Sequence, residues 1–167
     1  MSIGLTIKIE GLDKVIAKLR GNDMLGPALR EGFEKVGYVV TSEAKKRAPV
    51  DRGTLRASIA HEVDPAPVPQ WVRIGAKPFY APYMEFGTGL VHDHPSWPRK
   101  RHVVPVAALA GWAGRVGADA GGAASIISKR GGLKPRRYLR GALEDNGERI
   151  VRLIAGSLKK AGRAAGG

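Results

Sequence analysis

Three histidines that lie close together in the sequence are the side chains best suited to chemistry. His92, His94 and His102 share one segment with Asp93, and imidazole and carboxylate groups are common ligands of protein-bound metal ions. An H-x-H spacing on a strand would direct both rings to one face. The segment is interrupted by prolines, however, and neither an H-E-x-x-H motif nor a calcium-binding loop occurs. This context favours a solvated or interface loop over a metal site.

Motifs for phosphate binding and nucleophilic catalysis are missing as well. Gly87-Thr88-Gly89 fits neither the phosphate-loop pattern nor the dinucleotide-binding pattern, and G-x-S-x-G does not occur. The chain has no cysteine, which excludes disulfides, thiol catalysis, cysteine zinc sites and iron–sulfur clusters. We therefore expect a protein that is not an enzyme and that binds no cofactor and no metal.

The length of 167 residues fits one domain, and we expect a single domain over residues 1–167. Apolar residues make up 43% of the chain and aromatic residues only 6%, so the core must be mostly aliphatic. No apolar run approaches the length of about 18 residues that a membrane span needs. The first residues lack the basic and apolar regions of a secretory signal. We expect neither a membrane span nor a signal peptide, and the lack of cysteine fits a reducing cytoplasm.

The formal net charge of +13 is unevenly distributed along the chain. Residues 1–88 carry a net charge of +3, residues 89–128 carry +2, and residues 129–167 carry +8. A basic field of this kind attracts polyanions without selecting one of them. DNA, an acidic protein face and a membrane surface all remain open as partners of the C-terminal segment.

Hydrophobic periodicity predicts three elements at the start of the chain. Apolar residues alternate with others from Ile3 to Ile9, which predicts a strand, and helical spacing predicts a short helix over about 12–20. The longest helix is expected over about 24–47, with an apolar stripe from Leu25 to Ala44, the cap residue types Asn22 and Asp23 before it, and Pro49 after it. Its two internal glycines, Gly32 and Gly37, are expected to allow close packing.

The later segments predict short strands, loops and a final helix. They are a turn at 50–53, a strand over 54–63, a proline loop at 64–69, a strand over 71–75, an extended or hairpin segment over 80–86, and a C-terminal helix over about 138–163. Seven glycines within 111–132 predict that 89–133 is a long insertion, partly mobile in the free protein. Together these elements predict an α+β fold in which a small, mostly antiparallel sheet packs against the long helix and the C-terminal helix.

Two short segments combine residues with a structural meaning. Asp51 and Gly53 suit a tight turn, because aspartate accepts local amide bonds and glycine adopts positive φ. Leu55 and Ile59 would then enter the core. Tyr80, Tyr83 and Phe86 hold most of the scarce aromatic area, which anchors either a core or a subunit interface.

Glu85 lies between these aromatic residues and has two interpretations. It is either buried with a basic partner, for which Arg56, Arg136 and Arg137 are candidates, or exposed on a strand edge. The sequence leaves both open.

Three sequence segments that follow the predicted long helix carry a resemblance to a known family. They read APVDRGTLRASI from Ala48, YAPYMEFGT from Tyr80 and PRRYLRGAL from Pro135. In this order they resemble the tail-completion (neck, or minor tail) family of long-tailed double-stranded-DNA phages and prophages, over roughly residues 12–88 and 134–158. The chain departs from the family pattern at Arg52, where threonine is usual, at Tyr138 and Gly141, where phenylalanine and proline are common, and in its longer insertion.

The resemblance implies a structural virion protein in the neck region of the tail, assembled in the host cytoplasm. Such a protein forms a homo-oligomeric ring, expected to be a hexamer, between tail terminator or tail tube proteins and head connector proteins. It completes the tail and takes part in head–tail joining around the DNA channel. The implied motif or interface residues are Asp51, Gly53, Leu55, Tyr80, Tyr83, Glu85, Phe86, Gly87, Thr88, Tyr138 and Leu139.

Two other functions remain open. The chain is alternatively a tail terminator, which is also a ring protein, or a non-specific DNA-binding protein that uses its basic C-terminal segment. Lysine and arginine clusters bind DNA phosphates through counterion release. The candidate contacts with DNA or another polyanion are Arg136, Arg137, Arg140, Lys159 and Lys160. In either ring, the insertion 89–133 is predicted to wrap a neighbouring subunit and to become ordered on assembly.

Overall fold

The computed structural model describes residues 3–8, 10–11, 14, 16–17 and 25–165. Its strands are β1 (Ile3–Lys8), β2 (Ala60–Val63) and β3 (Trp71–Ala76). Its helices are α1 (Leu25–Arg47), α2 (Thr54–Ser58), α3 (Ala81–Phe86), α4 (Val106–Val116), α5 (Ala120–Arg130), α6 (Tyr138–Glu144) and α7 (Gly147–Ala165). This content confirms the predicted α+β class.

The chain divides into two compact units built from interleaved segments. The sheet unit comprises Gly4–Ala44, Ile59–Gly75 and Leu139–Gly167. The motif unit comprises Met1–Ile3, Lys45–Ser58 and Ala76–Tyr138. The single domain expected over 1–167 stays a prediction.

The sheet is three-stranded and antiparallel, with β3 between β1 and β2. In the β2–β3 pair, Ala60 lies opposite Gly75 and Val63 lies opposite Val72. The proline loop predicted at 64–69 joins these two strands. Asp64 orders it, because its carboxylate accepts hydrogen bonds from the amides of Ala66 (3.1 Å) and Gln70 (2.9 Å).

Helix α1 carries the core of the sheet unit. Its residues Leu29, Phe33, Val36 and Val40 repeat at helical spacing and are buried. A methyl group at Gly32 would lie 3.2 Å from the Cδ1 atom of Ile154 on α7, and a methyl group at Gly37 would meet the ring of His61 on β2. The two glycines therefore allow α7 and β2 to approach α1 closely, as predicted.

Two of the predicted extended segments are wrong because they contain helices. The predicted strand over 54–63 begins as α2, and only its second half is β2. Leu55 and Ile59 share one face of a helical turn as well as one face of a strand, whereas Ala57, which strand alternation would bury, is exposed. The segment 80–86 is not extended but contains the helix α3. Pro82 lies in the first turn of this helix, where proline is favourable.

The C-terminal helix predicted over about 138–163 is interrupted, and α6 and α7 replace it. A turn at Asp145 and Asn146 separates them. The Asn146 amide nitrogen Nδ2 donates to the carbonyl of Ala142 at 2.9 Å, and the Asn146 carbonyl accepts from the amide of Ile150 at 2.9 Å. Asparagine followed by glycine favours a turn, which explains the break.

The glycine-rich insertion contains two helices that the sequence analysis did not predict. Helix α4 packs against α5. Asp119 caps α5 by accepting hydrogen bonds from the amides of Gly121 (2.9 Å) and Gly122 (2.8 Å). The mobility predicted for 89–133 stays a prediction, but much of the segment is helical.

Some predictions fall on residues that the structure does not describe. The caps Asn22 and Asp23 and the end of the first strand at Ile9 lie outside the described residues. The helix predicted over 12–20 lies mostly outside them too, although Lys14, Ile16 and Ala17 are helical. None of the helices in the described part of the chain combines the length and the apolar character needed to cross a membrane.

Candidate functional site

The second and third motif segments pair through their backbones within the motif unit. The amide of Arg136 donates to the carbonyl of Met84 (2.9 Å), and the amide of Arg137 donates to the carbonyl of Glu85 (3.1 Å). Farther along, the amide of Thr88 donates to the carbonyl of Leu133 (2.8 Å), while the Thr88 hydroxyl oxygen accepts from the amide of Leu133 (2.9 Å). Residues 84–88 and 133–137 therefore form one structural feature, which we call the motif clasp.

Glu85 in the clasp and Tyr138, which directly follows it, are both buried. Glu85 is only 2% exposed, which excludes the exposed strand edge, while the basic partner expected for its carboxylate stays a prediction. Tyr138 is fully buried, and its hydroxyl donates a long hydrogen bond to the carbonyl of Ala81 at 3.4 Å. Burial and, secondarily, the negative charge of Glu85 raise the pKa of Tyr138 far above its ordinary value. The phenol is therefore neutral at any physiological pH.

Arg137 turns the chain from the clasp into α6. It adopts a left-handed backbone conformation with φ of 49°, which is unfavourable for a residue with a side chain. Its Nε atom donates to the Asp93 carboxylate at 2.7 Å, in addition to the backbone bond with Glu85. These two bonds hold the arginine in place. Arg137 thus has a structural role in addition to the polyanion contact predicted for it.

Asp51, the fourth residue of the first motif segment, binds an arginine that is distant in the sequence. The Nε atom of Arg115 on α4 donates to Asp51 Oδ1 at 2.8 Å, and a second guanidinium nitrogen of Arg115 donates to Oδ2. Such a bidentate pair fixes orientation as well as distance. Gly53 has φ of 78°, as the predicted turn requires. Asp51 therefore attaches helix α4 to the loop before α2.

The Asp51–Arg115 pair predicts a specific titration behaviour. The hydrogen bond from Arg115 lowers the pKa of Asp51. The pKa of Asp51 is lower in the folded chain than in the unfolded chain. The pair therefore stabilises the fold fully at pH values above the ordinary pKa of aspartate, and this stabilisation is lost as the pH falls through the lowered pKa. We expect Arg115→Gln to return the Asp51 pKa towards its ordinary value, measured by carboxyl-carbon NMR titration. An unchanged Asp51 titration would contradict the pairing, and Arg52→Gln is the control because Arg52 contributes only the smallest effect.

The histidine segment packs as an aromatic cluster. The His94 ring stacks on Trp97 with centroids 4.3 Å apart, and the ring of Phe86 meets the His94 ring edge-on at 4.6 Å. His92 is buried beside Trp97, and neither of its ring nitrogens has a hydrogen-bond partner among the described residues. The described residues contain no group of three or more metal-ligating side chains. His92 and His94 thus pack within the motif unit.

Some aromatic side chains of the second motif segment pack against other rings in the interior, and others remain partly exposed. Phe86 packs in the cluster with His94 and Trp97, and Tyr83 reaches the same Trp97 ring at 5.4 Å while remaining half-exposed. Tyr80 meets Phe79 edge-on, and Phe79 itself is 73% exposed. Leu55 and Leu139 are buried. Phe79 was not among the predicted site residues, although its place beside three other aromatic residues was a visible signal.

Helix α4 leaves much of its apolar surface exposed, although its two largest apolar side chains, Leu109 and Trp112, are half-buried. Its sequence, VAALAGWAGRV, contains one charged residue, Arg115, yet Ala113 is its buried residue. Val106 and Val116 at its two ends are about half exposed, and Ile126 on the adjacent α5 is exposed to a similar degree. Apolar helices of this kind are normally buried, and contiguous exposed apolar surface marks an interaction site. We call α4 with Ile126 the apolar helix face.

The predicted polyanion contacts differ in their availability. Arg136 is exposed, whereas Arg137 pairs with Asp93 and Lys160 pairs with Glu31 at 3.3 Å. Lys159 is exposed and Arg140 is half-buried. These residues are not one surface of one unit, because Arg136 and Arg137 belong to the motif unit and Arg140, Lys159 and Lys160 to the sheet unit.

Comparisons with family models, curated proteins and solved structures found no match.

Proposed function

We propose that this chain is a structural virion protein of a tailed phage that forms a ring at the head-proximal end of the tail. The ring completes the tail and takes part in head–tail joining around the DNA channel. The order and the sequences of the three motif segments support this proposal, because they resemble those of the tail-completion family. The pairing of the second segment with the third in the motif clasp fits a common structural role for these segments.

The observation that carries the assembly part of the proposal is the apolar helix face. A chain that functioned as a monomer would expose this surface to water permanently, which is unfavourable and promotes aggregation. A closed ring requires heterologous interfaces, in which a patch on one copy meets a different patch on the next copy. The apolar helix face supplies one such patch, and it lies within the insertion that was predicted to contact a neighbour. In this ring the chain contacts further copies of itself, expected as a hexamer, and the tail and head connector proteins on either side.

Deleting the chain from the virus that encodes it tests the proposal. We expect DNA-filled heads and tails of normal length that remain separate in electron micrographs of the lysate. Supplying the wild-type chain in trans should restore joined particles. Normal joined particles without the chain would contradict the proposal, and tails longer than normal would contradict it in favour of a terminator.

A further inference from the structure

Most of the net basic charge of the chain lies in the segments of the motif unit, although α7 in the sheet unit carries +4 by itself. The segments of the motif unit contain 15 basic and 4 acidic residues, a net charge of +11, whereas those of the sheet unit carry only +2. Counted along the sequence, the largest excess falls on residues 129–167. The structure divides that segment, and the dense basic residues at 129–137 lie in the motif unit.

Two short basic segments lie side by side within this unit. The amide of His102 donates to the carbonyl of Gly131 (2.9 Å), and the amide of Val104 donates to the Ser128 hydroxyl (2.9 Å). The Arg101 guanidinium also reaches the Ser128 carbonyl at 3.4 Å. These bonds hold residues 99–101 next to the end of α5. We define the basic ridge as Arg99, Lys100, Arg101, Lys129 and Arg130, all of which are exposed.

The fold alone does not account for five cations at this place. The C-terminal end of α5 carries a partial negative charge of about one half, which favours a cation but is far too small to balance five. Between Asp93 and Glu144 the sequence has a single acidic residue, Asp119, and its carboxylate caps the other end of α5. Neighbouring like charges repel one another, and a bound polyanion would relieve this repulsion.

We propose that the basic ridge binds the phosphate backbone of double-stranded DNA without reading its sequence. Lysine and arginine side chains are among the groups that contact DNA phosphates, and lysine, unlike arginine, is depleted at protein–protein interfaces. Single-stranded nucleic acid would require exposed rings on which bases stack. Trp97, the phenylalanine, tyrosine or tryptophan residue nearest to the ridge in the sequence, instead packs against Tyr83, Phe86, His92 and His94. DNA binding by the ridge is a further property in addition to the proposed ring formation, because closure of a ring needs no contact with DNA.

The test measures binding of the purified full-length chain to a fluorescent 30-base-pair duplex over a range of salt concentrations. Each phosphate contact contributes about 0.9 to the slope of log affinity against log salt concentration. We expect Arg99→Gln/Lys100→Gln/Arg101→Gln to reduce the magnitude of this slope by about 2.7 and to weaken binding in 0.1 M salt by at least about tenfold. The variant Lys129→Gln/Arg130→Gln should reduce the slope by about 1.8.

A matched control separates the ridge from net charge alone. Arg149→Gln/Arg152→Gln/Arg163→Gln removes three exposed cations from α7 that are not among the predicted polyanion contacts, so its net charge equals that of the triple ridge variant. We expect this control to keep most of the affinity and the slope of the wild-type chain. Circular dichroism should show that all variants retain the fold, since every substituted side chain is exposed.

Four outcomes would overturn the proposal. The first is that both ridge variants bind the duplex as tightly as the wild-type chain, and the second is that the α7 control loses as much affinity as the triple ridge variant. The third is that a 30-nucleotide single strand binds more tightly than the duplex. The fourth is that poly-glutamate displaces the duplex at an equal concentration of charge. The last result would assign the ridge to an acidic protein. None of them depends on ring formation, so the failure of this inference and of the proposed function can be told apart.

Discussion

Replacing Gly87 by alanine is expected to lower the free energy of unfolding by about 3 kcal/mol. Gly87 ends α3 with φ of 79°, a conformation that is unfavourable for any residue with a Cβ atom. A Cβ atom there would also collide with the Leu133 carbonyl oxygen and lie 2.8 Å from the Pro135 nitrogen. The chain would have to separate the two segments of the motif clasp, residues 84–88 and 133–137, and lose backbone hydrogen bonds that hold them together.

Gly53→Ala is the matched control for this prediction. Gly53 has nearly the same φ, 78°, but its added methyl group would meet nothing within 4 Å. The free energy of unfolding of this variant should fall only by the cost of placing alanine at positive φ, about 1 kcal/mol. Urea unfolding followed by circular dichroism measures both variants. Equal losses would show that the clasp yields to the methyl group and does not hold residues 84–88 and 133–137 together.

Introducing charge into the apolar helix face should abolish head–tail joining without unfolding the chain. We expect Val106→Asp/Val116→Asp to lower the yield of joined particles at least about a hundredfold. One uncompensated charge buried at an interface costs about 3 kcal/mol or more, which corresponds to that factor in an association constant. Both valines are about half exposed in the isolated chain, so its own stability should change by less than about 0.5 kcal/mol for each site.

Val151→Asp serves as the control, because Val151 is a 65% exposed valine on α7 in the sheet unit. Its particle yield should remain near that of the wild type. The measurement is the titre of infectious particles when each variant is supplied in trans to a virus that lacks the chain. Normal joining with the double variant would remove the apolar helix face from the assembly interface.

Long elements with one consistent period could be predicted from the sequence. Helix α1 follows the apolar stripe from Leu25 to Ala44, and β1 follows the alternation that begins at Ile3. Short segments were harder, because two periods fit the same residues. The spacing of Leu55 and Ile59 satisfies both a strand and a helical turn, and α3 contains aromatic residues that favour strands although Pro82 suits a first helical turn.

The two helices of the insertion lie in a segment whose many glycines, taken as a whole, predict a mobile loop, whereas single positions mark helix ends. Gly117 and Gly131 end α4 and α5 in left-handed conformations, and Asp119 caps the beginning of α5. Each of these positions was a visible boundary signal. The contact of Arg115 with Asp51 joins residues 64 positions apart, and no local pattern predicts such a pair.

The candidate site could be predicted only in part. The sequence singled out Glu85 and Tyr138, but it left open whether Glu85 is buried, since burial depends on the pairing of the clasp. Charge counted along the chain placed the basic excess at the C-terminus. Tertiary folding places residues 99–101 beside the end of α5, which is why the basic ridge appears only in three dimensions.

Cryo-electron microscopy of intact virus particles tests the central claim most directly. The proposed function predicts a closed ring of this chain between the tail tube and the head connector, with the apolar helix face covered by a neighbouring copy and six copies expected. A particle in which this chain is absent from the junction of head and tail would contradict the account.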